Sequence, residues 1–169
     1  VAAAGWAAEM FEETPRAKLA VTLSAALASL ALLLPAATQL EHNHPYGTSY
    51  YNELIGSHRG AADQKMMRQF WGYAVRGAAD WLNENTEQGA RIWTGNATSW
   101  AWNEYRREEI IRKDLSASGL GASDYAILFH QKSFYARELE IWRAYGTRAP
   151  VYVLELDGVP LVSIYRRRK

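Results

Sequence analysis

Between residues 41 and 56 the chain reads EHNHPYGTSYYNELIG, a dense run of side chains able to hold a polar ligand. Two histidines, three tyrosines, Asn52 and two carboxylates crowd together there. Imidazole and phenol groups donate hydrogen bonds, and an amide both donates and accepts, so the set suits the oxygens of a phosphate or a sugar. His44, Tyr46, Tyr50, Tyr51, Asn52 and Glu53 are the candidate substrate-binding residues. The same groups would also serve to tie the segment to a neighbouring domain, and both readings stay open. Metal binding fits less well. His42 and His44 are two apart, which places them on one face of a strand but not of a helix, and no third ligand type is clustered nearby. No cofactor is expected, and a divalent cation is not indicated. Glu41 and Glu53 resemble a carboxylate pair, but nothing in the sequence fixes their separation, so no acid or base role is assigned to them.

The element that positions this segment comes just before it. From Leu19 to Leu40 the chain runs 22 residues without Asp, Glu, Lys or Arg. At 1.5 Å per residue that is enough to cross a hydrocarbon layer of about 30 Å. Its serines, threonines and Pro35 make it a middling span, of the sort found in multi-helix bundles where neighbours take up hydroxyls and the carbonyl that proline frees. Arg16 and Lys18 precede the run, whereas the next Lys or Arg after it is Arg59. By the positive-inside rule the N-terminal side is cytoplasmic and everything from about residue 41 is extracytoplasmic. Rival readings are a buried helix of a soluble domain and a cleaved signal peptide, with Pro35-Ala36-Ala37-Thr38 a poor cleavage site. The opening VAAAGWAAEMF reads as the tail of an earlier apolar helix, followed by a polar turn over residues 12–16. The sequence is therefore expected to be the end of a larger membrane protein. The expected organisation is the end of a membrane domain over residues 1–40, an interfacial segment over 41–60 and an extracytoplasmic domain over 61–169.

A net charge of +1 gives no electrostatic case for a nucleic-acid partner. The dense basic run at residues 166–169 suits solvent or anionic head groups. The chain has no cysteine, which excludes disulfides and thiolate metal sites. Met67, Phe70, Trp71, Ala74, Ala78, Trp81 and Leu82 recur at helical steps and predict one helix over 61–83. A short strand over 90–94 follows, then a helix opened by Thr98 or Ser99 and running to about Lys113. YAILFH, residues 125–130, is an apolar run of strand length that should be central and covered on both faces. A helix over 134–145, with Leu139, Trp142 and Tyr145 on one face, ends at Gly146. Strands over 150–156 and 159–166 are joined by Asp157-Gly158 as a hairpin. The fold class is α/β: a transmembrane helix followed by a small domain with a C-terminal hairpin.

Tryptophans are the remaining chemical resource. Trp71, Trp81 and Trp142 fall at helical spacing and read as core, whereas Trp100 and Trp102 cannot share a helical face, so one of them is expected outside and available to a glycan or lipid. Asn96-Ala97-Thr98 fits a glycosylation sequon by chance frequency. Gly119-Leu120-Gly121 lies between helix and strand in the wrong order for a phosphate loop. His130, at the end of the central strand, reads as a structural residue.

Taken together, HPYGTSYYNELIGS, WGYAVRGAADWLNEN and APVYVLELDGVPLVSIYRR resemble the C-terminal end of multi-span glycosyltransferases of the dolichyl-phosphate-mannose protein mannosyltransferase type, a superfamily that includes bacterial lipid A aminoarabinose transferases. Relatives often carry paired glycines where this chain has Gly56-Ser57. The resemblance implies transfer of a sugar from a polyprenyl-phosphate donor to a membrane or cell-envelope acceptor at the outer face of the bacterial inner membrane. It also implies that the general-base carboxylate lies upstream, so no catalytic residue is expected within these residues. The competing expectation is a non-catalytic, membrane-tethered binding or assembly domain.

Overall fold

The computed structural model describes residues 15–70, 72–95 and 99–168. Two compact units divide after His44. The first contains helix α1, Pro15–Asn43, whose most apolar window has a mean hydropathy of 2.1 with none of it buried. By length and composition α1 suffices to cross a membrane. Both of its threonines bond back to the helix: the Thr22 hydroxyl donates to the Lys18 carbonyl and Thr38 to that of Pro35, both at 2.9 Å. Back-bonding of this kind lets hydroxyls sit in an apolar setting without an orphaned donor. The expected tail of a preceding helix and its polar turn up to Thr14 lie outside the described residues, as do Trp71 and the sequon.

The second unit, residues 45–169, is a mixed α/β domain built on one five-stranded sheet. Its strands are β1 (Arg91–Trp93), β2 (Ser116–Ala117), β3 (Tyr125–Phe129), β4 (Tyr152–Leu156) and β5 (Val159–Arg166), in the order β2-β1-β3-β5-β4. β1 runs parallel to β2 and β3, while β5 is antiparallel to β3 and β4. All five residues of β3 are buried, because Tyr125, Ile127 and Phe129 enter one core and Ala126 and Leu128 the other. A strand sandwiched in this way has no polar face, hence the continuous apolar run. Asp157 (φ 53°) and Gly158 (φ 75°) both take positive φ, the signature of a two-residue hairpin turn matched to strand twist.

Helices α3 (Ala79–Asn85) and α4 (Ser99–Arg107) pack on the first core, and α5 (Tyr135–Tyr145) on the second. The single helix expected over 61–83 is not formed. Instead α2 covers Ser57–Asp63, residues 64–70 leave helical geometry, a 3-10 turn follows at Tyr73–Ala78, and α3 completes the segment. Lys65 (φ 59°) and Gly72 (φ 74°) sit in the left-handed region, which no α-helix passes through. Phe70 is consequently 36 % exposed rather than part of a stripe. α4 also stops short of Lys113, at Arg107, because Glu109 turns to φ 61° and the Ile110 and Ile111 amides fold back onto the Tyr105 carbonyl. On α5 the buried pair is Ile141 and Tyr145, not Leu139, which points outward. Trp102 is fully buried and Trp100 is 87 % exposed, dividing the pair as their spacing requires.

Candidate functional site

The six residues singled out in the sequence do not share one role. His44 closes the first unit and is exposed, and the rest belong to the domain. Tyr46 opens a 3-10 turn at Gly47–Ser49 and sends its ring into the edge of the core. A Cβ added at Gly77 would lie 1.7 Å from the Tyr46 Oη, so that contact exists because residue 77 has no side chain. Burial, then the neighbouring Tyr152 and Asp80, raises the Tyr46 hydroxyl above the usual phenol range. Tyr51 donates to the Met67 carbonyl at 2.6 Å, and burial raises its hydroxyl as well. These two tyrosines tie the segment to the domain, the second of the two roles left open above.

Tyr50, Asn52 and Glu53 form the exposed set. The Tyr50 hydroxyl donates to Glu53 Oε1 at 3.2 Å, and its ring meets the His58 ring edge-on at 6.5 Å. Partial desolvation, followed by the Glu53 hydrogen bond and charge, raises the phenol and keeps its proton in place. Asn52 spends its backbone carbonyl on the Ser57 amide at 3.1 Å while its side chain makes no cap, leaving the amide group directed to solvent. Leu54, beside them, is 95 % exposed. Phenol, primary amide and carboxylate together both donate and accept, which matches the hydroxyls of a sugar. A phosphate is a poorer match, because Glu53 would repel it and this exposed trio carries no cation.

Behind the set stands a clasp that crosses the chain. His58 is 3 % exposed and its Nδ1 lies 3.2 Å from Asp157 Oδ2, while Arg59 Nε donates to the Asp157 carbonyl at 2.5 Å. The start of α2 thus holds the turn between β4 and β5, and through it fixes the base of the segment. These residues lie almost a hundred positions apart, and no local periodicity could have joined them. Ser57, at the first position of α2, has φ 55°. It occupies a left-handed conformation that glycine adopts more readily than serine.

Elsewhere, His130 is locked to the sheet by a 2.7 Å hydrogen bond between Nε2 and Ser163 Oγ. Burial, helped by the Arg68 charge, pushes its pKa down to about 4. A neutral imidazole held in that way is a structural group. Trp81 stacks on Tyr152 at 5.3 Å and is half-buried, as is Trp142, so both are packing residues. Among the described residues no three His, Cys, Asp or Glu side chains gather in a way that could hold a metal ion. No protein-family model matches the chain, and no curated protein or solved structure matches it either.

Proposed function

We propose that these residues form the C-terminal part of an integral-membrane glycosyltransferase, with α1 as a transmembrane helix and residues 45–169 as an extracytoplasmic domain that helps to position a lipid-linked sugar or its acceptor. The observation that supports this best is continuity in sequence. A 29-residue apolar helix runs directly into a segment whose exposed side chains, Tyr50, Asn52 and Glu53, have the donors and acceptors that sugar hydroxyls require. Tyrosines at that point also suit the wet edge of a bilayer. Catalysis itself belongs upstream in this reading, and the polypeptide described here transfers no sugar alone. The role of Tyr46 and Tyr51 in packing favours a second reading, a tethered binding domain without chemistry.

Separate replacement of His44 and Asn52 by alanine in the full-length protein decides between them. Sugar transfer from a polyprenyl-phosphate donor should fall by about tenfold or more for Asn52→Ala, the typical effect of losing a hydrogen bond made to bound substrate. Folding, followed by circular dichroism, should not change. Wild-type rates in both variants would remove substrate from this segment, and no transfer by the unsubstituted protein would leave the tethered binding domain.

A further inference from the structure

We infer that the outward face of α5, together with three nearby arginines, is a docking surface for the anionic head groups of a phospholipid bilayer. α5 buries Ile141 and Tyr145 in the core. On the opposite side Tyr135 and Leu139, at i and i+4, are 53 % and 49 % exposed, and Trp142, half-buried against the same core, borders them. Trp142 floors a shallow groove of about 380 Å³ whose rim carries Arg143, Arg148 and Arg168, and no carboxylate lines it. The Arg148 guanidinium sits 5.7 Å above the Trp142 ring. Arg143, Arg148 and Arg168 are exposed and make no ion pair among the described residues.

The acidic residues of α5 are engaged elsewhere. Glu140 pairs with Arg137 at 2.8 Å, and Glu138 accepts a hydrogen bond from Tyr165. The surface is therefore positive in a molecule whose net charge is only +1. An apolar and aromatic edge bordered by arginines is the chemistry of an interfacial helix: Tyr135 and Leu139 settle at the acyl boundary, and guanidinium groups meet lipid phosphates. A soluble phosphate would use the arginines and leave Tyr135 and Leu139 in water. The proposal rests on the reading of α1 as a span, because a tethered domain reaches the bilayer at high effective concentration and needs only a weak contact.

The chain contains no cysteine, so Leu139→Cys carries one environment-sensitive fluorophore and Glu108→Cys supplies a remote control. The full chain is reconstituted in vesicles of phosphatidylcholine alone or mixed with phosphatidylglycerol. Emission from position 139, but not 108, should shift to the blue with phosphatidylglycerol, and the shift should reverse in high salt as screening lengths shrink. Arg143→Gln, Arg148→Gln and Arg168→Gln combined should weaken the response to phosphatidylglycerol on the order of a hundredfold, at about fivefold per arginine, with unchanged circular dichroism. An equal shift in both lipid mixtures, no shift in either, or a shift produced by inorganic phosphate in neutral detergent would each overturn the proposal. Flotation with phosphatidylcholine vesicles reports separately on α1. If the chain fails to float there, added phosphatidylglycerol vesicles still decide whether this face binds.

Discussion

His130 is the residue whose surroundings make the sharpest demand. Half-buried beside Ser163 and facing the Arg68 charge, it has a pKa of about 4 in the folded chain, well below an ordinary imidazole. The unfolded chain therefore binds a proton that the folded one refuses over the intervening window. Stability is fully present above about pH 6.5 and declines as the pH falls towards 4, by on the order of 3 kcal/mol at most. Melting temperatures of the wild type and His130→Gln, measured in detergent at pH 7 and at pH 4.5, check this. The wild type should lose more than the variant, and parallel losses would assign the acid sensitivity to carboxylates instead.

At the scale of elements, one arginine joins the end of α3 and the loop after it to its own loop before β2. Arg112 donates to the carbonyls of Asn83, Thr86 and Glu87 at 2.6 to 3.3 Å, and its guanidinium pairs with Asp114 at 3.1 Å. Asp114 in turn accepts the Gly89 amide, and that bond, followed by the one from Arg112, lowers its carboxyl below the usual range. The last carbonyls of α3 are thus capped by a cation from a distant loop, which suits the negative end of a helix. Arg112→Met should destabilise the domain by about 2–3 kcal/mol, because several polar groups lose partners together. Arg112→Lys should recover less than half of that, since an ammonium lacks the planar fork. Chemical denaturation of the three proteins measures the difference.

Elements whose cause is local were legible in the sequence. β3 announces itself by five apolar residues in a row, and the last hairpin by Asp157-Gly158, since both conformations follow from the residues concerned. The helix expected over 61–83 failed for a reason apolar periodicity does not register: Lys65, an ordinary helix former, stands at φ 59°, where its amide and that of Met66 bond back to the Ala62 and Ala61 carbonyls and close α2. β2 is two residues long, too short to leave any pattern. Within the candidate site, the chemistry of Tyr50, Asn52 and Glu53 could be read directly. The sorting of Tyr46 and Tyr51 into anchors could not, because it depends on Gly77 and on the Met67 carbonyl.

For the whole molecule the decisive property is the contrast between its two units. α1 has no buried residue in its apolar window, whereas the domain encloses cores on both faces of its sheet. Expressed in bacteria, the chain should sediment with membranes, resist extraction by alkaline carbonate and dissolve in detergent. Recovery in the soluble fraction without detergent would remove the span and, with it, the proposed location of the domain.

The position of β5 between β3 and β4 has a consequence for synthesis. After β3 leaves the ribosome its flank stays bare until Val159 and its successors arrive about thirty residues later, because β4 pairs with β5 and not with β3. At roughly 5–20 residues per second that is a delay of about 2–6 s, during which an apolar edge is open to mispairing. A holdase waiting at the exit site would find its client in that interval.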